Sequence, residues 1–178
     1  MAMSLSATWT IDELDRLPDD GNRYELLDGE LLVTPAPSDV HQTVVDWLSA
    51  QLWPFVLAHG LGRVQSPRAV IQTDRSQLEP DLMVRPWAPP RGWKTAPIPI
   101  LVVEVLSAST RQRDLGPKRR FYMEYGVAEY WVVNRETRAI HQITPDGEAT
   151  CDATLLWKPP TISATLEIDV KALFAAIK

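Results

Sequence analysis

The sequence has few of the features that would place it in several common protein classes. It holds a single cysteine, Cys151, which excludes an internal disulfide and a zinc site built from cysteines, and which fits a reducing compartment. No apolar run approaches the roughly 18 residues that a membrane helix needs. The amino terminus, MAMSLSATW, lacks the basic start and long apolar stretch of a secretion signal. We therefore expect a cytoplasmic protein without a membrane partner.

The chain also has fewer positively than negatively charged residues. The chain carries 18 lysines and arginines against 23 aspartates and glutamates, for a formal net charge of -5. Nucleic-acid-binding domains are usually basic overall. Any binding of nucleic acid must therefore depend on a local patch.

What the chain does contain is typical of one globular domain. Its 178 residues are 45% hydrophobic and 23% charged, so we expect a single domain over residues 1–178. Apolar periodicity, capping signals, glycine and proline predict its elements. In chain order these are a helix over 11–17, a hairpin over 24–34, a helix from 38 that Pro54 kinks or ends, strands over 62–72, 81–84 and 100–106, a helix from about 115 to 126, a hairpin of 129–133 and 139–143, a strand over 153–157 and a helix over 170–177. This order predicts an α/β fold with a mixed central β-sheet flanked by α-helices.

Glu104 lies in the middle of the apolar run ILVVEVLS, where a strand buried on both faces should carry no carboxylate. A buried charge needs a partner, a metal or a shifted pKa. Asp81 follows Pro80 and opens the apolar strand DLMV. If the two strands are neighbours, both acids converge and supply hard oxygen ligands that suit Mg²⁺. A structural interpretation stays open for each, with Asp81 as a turn residue and Glu104 as the partner of an arginine.

Lys118 is also out of place, because it shares a helical face with Phe121 and Tyr122, the face that must pack on the sheet. It stands in the first turn of its helix, where the macrodipole disfavours a cation. An anion such as Glu104 or a phosphate would stabilise it there, and the alternative is a stem that extends to solvent. The conjunction with Asp81 and Glu104 favours a site for phosphate and metal.

These residues stand within longer phrases that resemble a known family. The phrases RYELLDGELLVTPAPSDVHQ, EPDLM, LVVEVLSASTRQRD and EYGVAEYWVVN cover most of residues 23–134 in order and are similar to the Uma-two family of restriction endonucleases. Pro80 and Asp81, then Glu104, then Lys118 resemble the PD-(D/E)xK nuclease superfamily, which has the restriction-endonuclease-like fold. One departure is Leu106, which stands where the superfamily usually has its lysine. In the Uma-two family this lysine has moved to the following helix, and Lys118 resembles the lysine in that position.

The resemblance implies a DNA endonuclease that depends on Mg²⁺ or Mn²⁺. Asp81, Glu104 and the Val105 carbonyl would hold the ion, which polarises the scissile phosphate and lowers the pKa of a bound water. Lys118 would orient that water or stabilise the charge growing on phosphorus. An acid from an early element often joins such a site, which makes Glu25 a fourth candidate. The alternative for Glu25 is an exposed strand residue.

Other polar residues around this site have two interpretations each. His41 either faces the cleft and contacts phosphate or metal, or is a hydrogen-bonded histidine at the edge of the core. Asp114 either pairs with Lys118, four residues later, or caps the helix. Trp87 and Trp93 lie in a proline-rich loop, residues 85–99, and either stack on bases or serve as loop anchors or dimer contacts.

A local basic patch could bind nucleic acid despite the negative net charge of the chain. Its basic residues have a net charge of +4 once Asp114 is counted, enough to hold a phosphate backbone, although a solvated helix face has the same composition. The basic residues of the patch are Arg111, Arg113, Lys118, Arg119 and Arg120.

Two other functions stay open. One is a non-catalytic nucleic-acid-binding or interaction module of the same fold, which suits the acidic net charge. The other is a metal-dependent hydrolase of a smaller phosphate ester, which needs an enclosed pocket instead of an open groove. A homodimer is a further expectation, because symmetric pairing is common and cutting a duplex needs two sites.

Overall fold

A computed structural model of the chain describes residues 8–89 and 91–177. Residues 1–7, on which the expectation about the amino terminus mainly depends, lie outside the described residues, as do Pro90 and Lys178. The strands are β1 (Arg23–Leu27), β2 (Glu30–Thr34), β3 (Arg63–Gln65), β4 (Ile71–Gln72), β5 (Gln77–Leu78), β6 (Leu82–Arg85), β7 (Leu101–Val105), β8 (Tyr130–Asn134), β9 (Ala139–Thr144), β10 (Gly147–Cys151), β11 (Thr154–Trp157) and β12 (Leu166–Asp169). The helices are α1 (Ile11–Leu14), α2 (Asp39–Ala58), α3 (Arg111–Arg113), α4 (Arg119–Tyr125) and α5 (Val170–Ala176), with a π-helical turn over Asp114–Lys118 between α3 and α4 and a 3₁₀ turn over Trp93–Thr95.

A six-stranded mixed sheet forms the centre of the fold, in the order β10-β9-β8-β7-β6-β3. β7 and β8 are parallel, and the other neighbours are antiparallel. Every residue of β7 is buried, as expected for a strand that is covered on both faces. The predicted mixed central sheet is confirmed.

Helices cover the two faces of this sheet. On one face, α2 packs its apolar stripe against the strands and α5, and Trp131 meets Trp157 edge to face with ring centroids 6.1 Å apart. On the other face, α4 packs beside a second sheet of order β2-β1-β5-β4. The predicted flanking helices are confirmed, whereas the second sheet on the α4 face was not predicted.

Several predicted boundaries differ from the structure. Pro54 does not end its helix, because α2 continues to Ala58. The region predicted as strand over 62–72 contains two short strands, of which β3 joins the six-stranded sheet and β4 joins the four-stranded one. The strands β5 and β10 have too few residues or too little apolar alternation to be predicted, and β12, which alternates over four residues, was missed.

The helical segment before Gly126 begins at Arg111 instead of near Leu115. Pro117 lies inside it and lacks the N–H that a regular helical hydrogen bond needs, and the chain forms a π turn there. Asp114 and Lys118, at the two ends of this turn, are both buried. The irregular turn therefore presents two charged side chains to the interior.

Gly62 lies where two parts of the backbone nearly touch. Its φ is +124°, and a Cβ placed there would lie 2.0 Å from the Arg85 carbonyl oxygen. We expect Gly62→Ala to lower the free energy of unfolding by about 2–4 kcal/mol, because strain at positive φ adds to overlap with rigid backbone. Urea denaturation measures this. Gly60→Ala is the control, since Gly60 has a φ of +61° but nothing within 4 Å of its added Cβ, and equal losses in both variants would reject the overlap as a cause.

Candidate active site

Asp81 and Glu104 come together at neighbouring strand ends, as the sequence predicts. Leu82 in β6 pairs with Val103 in the antiparallel β7, so the next residues outward, Asp81 and Glu104, lie side by side. The Val105 N–H donates a hydrogen bond to Asp81 Oδ2 at 2.8 Å. Asp81 is 2% exposed and Glu104 is 1% exposed. The interpretation of Asp81 as a turn residue alone does not describe this buried, hydrogen-bonded position.

Lys118 reaches the same point from the helical side. Its Nζ donates to Glu104 Oε1 and to Glu25 Oε1, each at 2.9 Å, and lies 3.9 Å from Asp114 Oδ1. The side chain is 2% exposed. Its stem does not extend to solvent, and the partner of Glu104 is this lysine instead of an arginine.

Glu25 is buried at 1% exposure, so the interpretation as an exposed strand residue is wrong. Its Oε1 also accepts the Glu79 N–H at 2.9 Å, which ties β1 to the segment that leads into Asp81. Asp114 is the first residue of the π turn and its Oδ1 accepts no hydrogen bond from a described residue, whereas Thr110 is the N-cap residue of α3. Asp114 therefore does not cap the helix, and its nearest cation is Lys118.

Two more side chains hold Asp81. Arg23 Nη1 donates to Asp81 Oδ1 at 2.8 Å, and His41 Nε2 lies 3.0 Å from Asp81 Oδ2. His41 thus contacts an acid of the cluster, although its Nδ1 is buried without a hydrogen-bond partner among the described residues. Arg23 was missed by sequence reasoning. A signal was present, because it stands two residues before Glu25 and so shares a face of β1 with it.

Tyr122 is the other residue that sequence reasoning missed as part of the site. It was assigned only to the packing face of its helix, yet its hydroxyl donates to Glu104 Oε1 at 2.8 Å. Both hydrogen bonds that reach the Glu104 carboxylate from described residues end on Oε1. Glu104 Oε2 is therefore the oxygen left for another ligand.

The cluster contains more acids than cations. Burial raises the pKa of Glu104 to about 8; the charge of Lys118 opposes this rise, and the nearby acids add to it. Burial also acts against ionisation of Asp81, but the hydrogen bond from His41 and the charge of Arg23 hold its pKa well below the usual range. Burial acts against a charged Lys118, yet Glu104 and Glu25 raise its pKa. The four acids of the cluster are Glu25, Asp81, Glu104 and Asp114, and its two cations are Arg23 and Lys118.

This imbalance and the donor atoms fit a divalent cation. Mg²⁺ takes hard oxygen ligands, keeps several waters and needs only one or two carboxylates from a protein. Glu25 Oε2 and Asp114 Oδ1 are buried without a hydrogen-bond partner among the described residues. Within residues 8–89 and 91–177, however, no three or more acids, histidines or cysteines are grouped as a ready set of metal ligands.

A cleft of about 640 Å³ opens beside the cluster. Arg23, His41 and Asp81 line it, together with the segments 34–38 and 107–110. Glu104 and Lys118 are not among the residues that line the cleft. Asp81 is therefore the acid through which the buried cluster meets the cleft.

The basic patch is weaker than its sequence suggests. Arg111 forms an ion pair with Glu136, and Arg119 pairs with Glu148 at 2.9 Å. Lys118 is buried in the acid cluster. Arg113 donates to Thr34 Oγ1 at 3.1 Å, at the edge of the cleft. The predicted net charge of +4 is thus largely compensated, because sequence-distant acids neutralise two arginines.

The six-stranded mixed sheet with helices on both faces is a restriction-endonuclease-like fold. The family model Uma2, described as "Putative restriction endonuclease", matches residues 11–171. The chain belongs to this family.

A solved structure supports the fold. The crystal structure of a "putative nuclease belonging to DUF820" from Anabaena variabilis ATCC 29413 is similar to this chain with a TM-score of 0.79 and 18% identity, over 95% of this chain and 99% of that one. No curated protein matches the chain. None of the helices in the described part is long and apolar enough to cross a membrane.

Proposed function

We propose that the protein is a Mg²⁺-dependent endonuclease that hydrolyses phosphodiester bonds in DNA, with Mn²⁺ as a substitute ion. Membership of a nuclease family supports the reaction class. The observation that carries the proposal is the buried cluster in which four acids face two cations beside the cleft. A cluster of this charge is stabilised by a divalent cation.

The proposed roles follow from the contacts. Asp81, Glu104 and the Val105 carbonyl would hold the ion, which when bound polarises the scissile phosphate and lowers the pKa of a water. Arg23 and His41 hold Asp81 in place through its two oxygens.

The ammonium of Lys118 lies between Glu104 and Glu25. In the proposed reaction it orients the attacking water or stabilises the charge growing on phosphorus. Glu25 positions this lysine through its Oε1. Arg113, at the edge of the cleft, would contact the phosphate backbone with Arg111 next to it in the same segment.

The proposal includes two expectations about organisation. We propose that residues 1–178 act as one nuclease domain. We also propose a homodimer, because cutting both strands of a duplex needs two sites.

Asp81→Asn tests the metal. Isothermal calorimetry with Mn²⁺ is expected to show binding to the native protein and at least about a tenfold loss of affinity in Asp81→Asn, because a neutral amide is a poorer ligand. Glu167→Gln, which changes an exposed acid on β12, is the control and should bind as the native protein does. Equal binding by Asp81→Asn would contradict the assigned ligand.

The same preparations test the reaction. Native protein is expected to cut plasmid DNA with Mg²⁺ or Mn²⁺ and not in EDTA. A native protein that binds DNA but cuts none with either ion would favour the second candidate, a non-catalytic nucleic-acid-binding module. One observation favours that candidate, namely that the described residues contain no group of three metal-ligating side chains.

A further inference from the structure

Away from the acid cluster, two arginines lie directly opposite each other on neighbouring strands. Arg63 in β3 is paired in register with Arg85 in β6, so both side chains leave the same face of the sheet with their Cβ atoms about 5 Å apart. Arg85 is 4% exposed. Like charges opposite each other destabilise a sheet, so this pair requires compensation.

The two guanidinium groups have few hydrogen-bond acceptors among the described residues. Arg85 Nη2 donates to the Val70 carbonyl at 2.9 Å. Arg85 Nε, Arg85 Nη1 and Arg63 Nε are buried and have no hydrogen-bond partner in the described part of the chain. Among the same residues, neither arginine forms an ion pair with a carboxylate. An anion with several oxygens beside the half-buried Arg63 would compensate the charge of the pair.

Two tryptophans complete the cluster. The Arg63 guanidinium lies 4.7 Å from the ring centroid of Trp87, and that of Arg85 lies 5.7 Å from the ring centroid of Trp93. Trp87 is 63% exposed and Trp93 is 40% exposed, so much of each ring remains available for stacking. Anchoring of the 86–99 segment would explain the tryptophans. It would not explain two arginines without acidic partners, because neutral side chains could anchor the segment without introducing an uncompensated charge.

We propose that Arg63, Arg85, Trp87 and Trp93 bind single-stranded DNA at a site separate from the acid cluster. The guanidinium groups bind a backbone phosphate, and the neighbouring base stacks on Trp87. The choice of DNA as the ligand rests on the proposed function, whereas the unpaired guanidinium donors and the exposed tryptophan rings are independent of it. Arg85 is four residues from Asp81, about 13 Å along the strand direction, so this site contacts DNA away from the reacting phosphate.

The test is the affinity for a fluorescein-labelled oligothymidylate of about 12 nucleotides, measured by fluorescence anisotropy in EDTA at low salt. Trp87→Ala is expected to weaken binding by about tenfold or more, because it removes one stacked base. Arg63→Gln is expected to weaken it by about tenfold and to reduce the slope of log K against log salt by about 0.7. Both side chains are at least partly exposed, and circular dichroism checks that the variants are folded.

Matched controls separate this site from general effects. Trp53→Ala removes a tryptophan that is 38% exposed on α2, and Arg16→Gln removes an exposed arginine; both should bind as the native protein does. Loss of affinity in Arg63→Gln but not in Trp87→Ala would indicate a site for phosphate alone and would overturn the proposal. Unchanged affinity in both site variants would overturn it too, as would an equal dependence on Trp87 for duplex DNA, whose paired bases cannot stack on the ring.

The assay also distinguishes this inference from the proposed function. Because EDTA prevents cutting, Trp87-dependent binding is measurable whether or not the native protein cleaves DNA with Mg²⁺. Absence of cleavage with Trp87-dependent binding would reject only the nuclease activity. Cleavage by the native protein without Trp87-dependent binding would reject only this second site.

Discussion

Replacement of Lys118 by methionine is expected to lower the free energy of unfolding by about 3–5 kcal/mol and to abolish cleavage. Methionine has a similar length but no charge, so Glu25 would lose its ammonium partner and Glu104 a hydrogen-bond donor, each at 2.9 Å. Removing one partner of a buried ion pair leaves a charge without compensation, which is more damaging than removing both. Urea denaturation in EDTA at neutral pH measures the loss.

A double-mutant cycle identifies the partner. Lys118→Met combined with Glu104→Gln also removes one of the two acids that the first change leaves without a donor, and we expect a coupling energy of about 1–3 kcal/mol. Lys171→Met is the control, because Lys171 is exposed on α5 and its replacement should change stability by less than about 0.5 kcal/mol. Additive losses at Lys118 and Glu104 would show that the lysine does not stabilise the fold through this acid.

The core of the site could be predicted because each of its residues breaks a local rule. Glu104 places a charge in a run that is otherwise apolar, and Lys118 places one on the packing face of a helix. Such conflicts between local pattern and global fold are expected at functional sites. Their positions on neighbouring elements then follow from the α/β order, which the central sheet confirms.

The rest of the site could not be predicted, because it depends on contacts between distant segments. Glu25 alternates with apolar residues, a pattern typical of a strand with one exposed face, and only the packing of its sheet beside α4 buries it. Arg111 and Arg119 form a basic patch in sequence, but their acidic partners lie 25 and 29 residues away, at Glu136 and Glu148. Composition within a short window therefore overstated the positive charge available to DNA.

Glu104→Gln is expected to separate activity from stability. Cleavage should fall by at least about a thousandfold, because a ligand of the catalytic ion is lost and such an ion contributes several kcal/mol to transition-state stabilisation. The fold should persist, since glutamine keeps the shape of the side chain and its carbonyl can still accept from Lys118 and Tyr122. Plasmid cleavage and circular dichroism measure the two effects, with Glu167→Gln as the control.

The stability of Glu104→Gln should also differ from that of the native protein in a pH-dependent way. The fold raises the pKa of Glu104 from 4.5 to about 8, so the folded state binds this proton more tightly than the unfolded state. The stabilisation from the neutral carboxyl is complete below about pH 4.5 and is lost progressively as the pH rises through about 8. Glutamine stays neutral throughout.

In EDTA, the unfolding free energy of the variant relative to native protein should therefore rise by about 2–4 kcal/mol between pH 5 and pH 8.5, as measured by urea denaturation at each pH. A difference that stays constant over this range would contradict a pKa near 8 for Glu104 in the folded state.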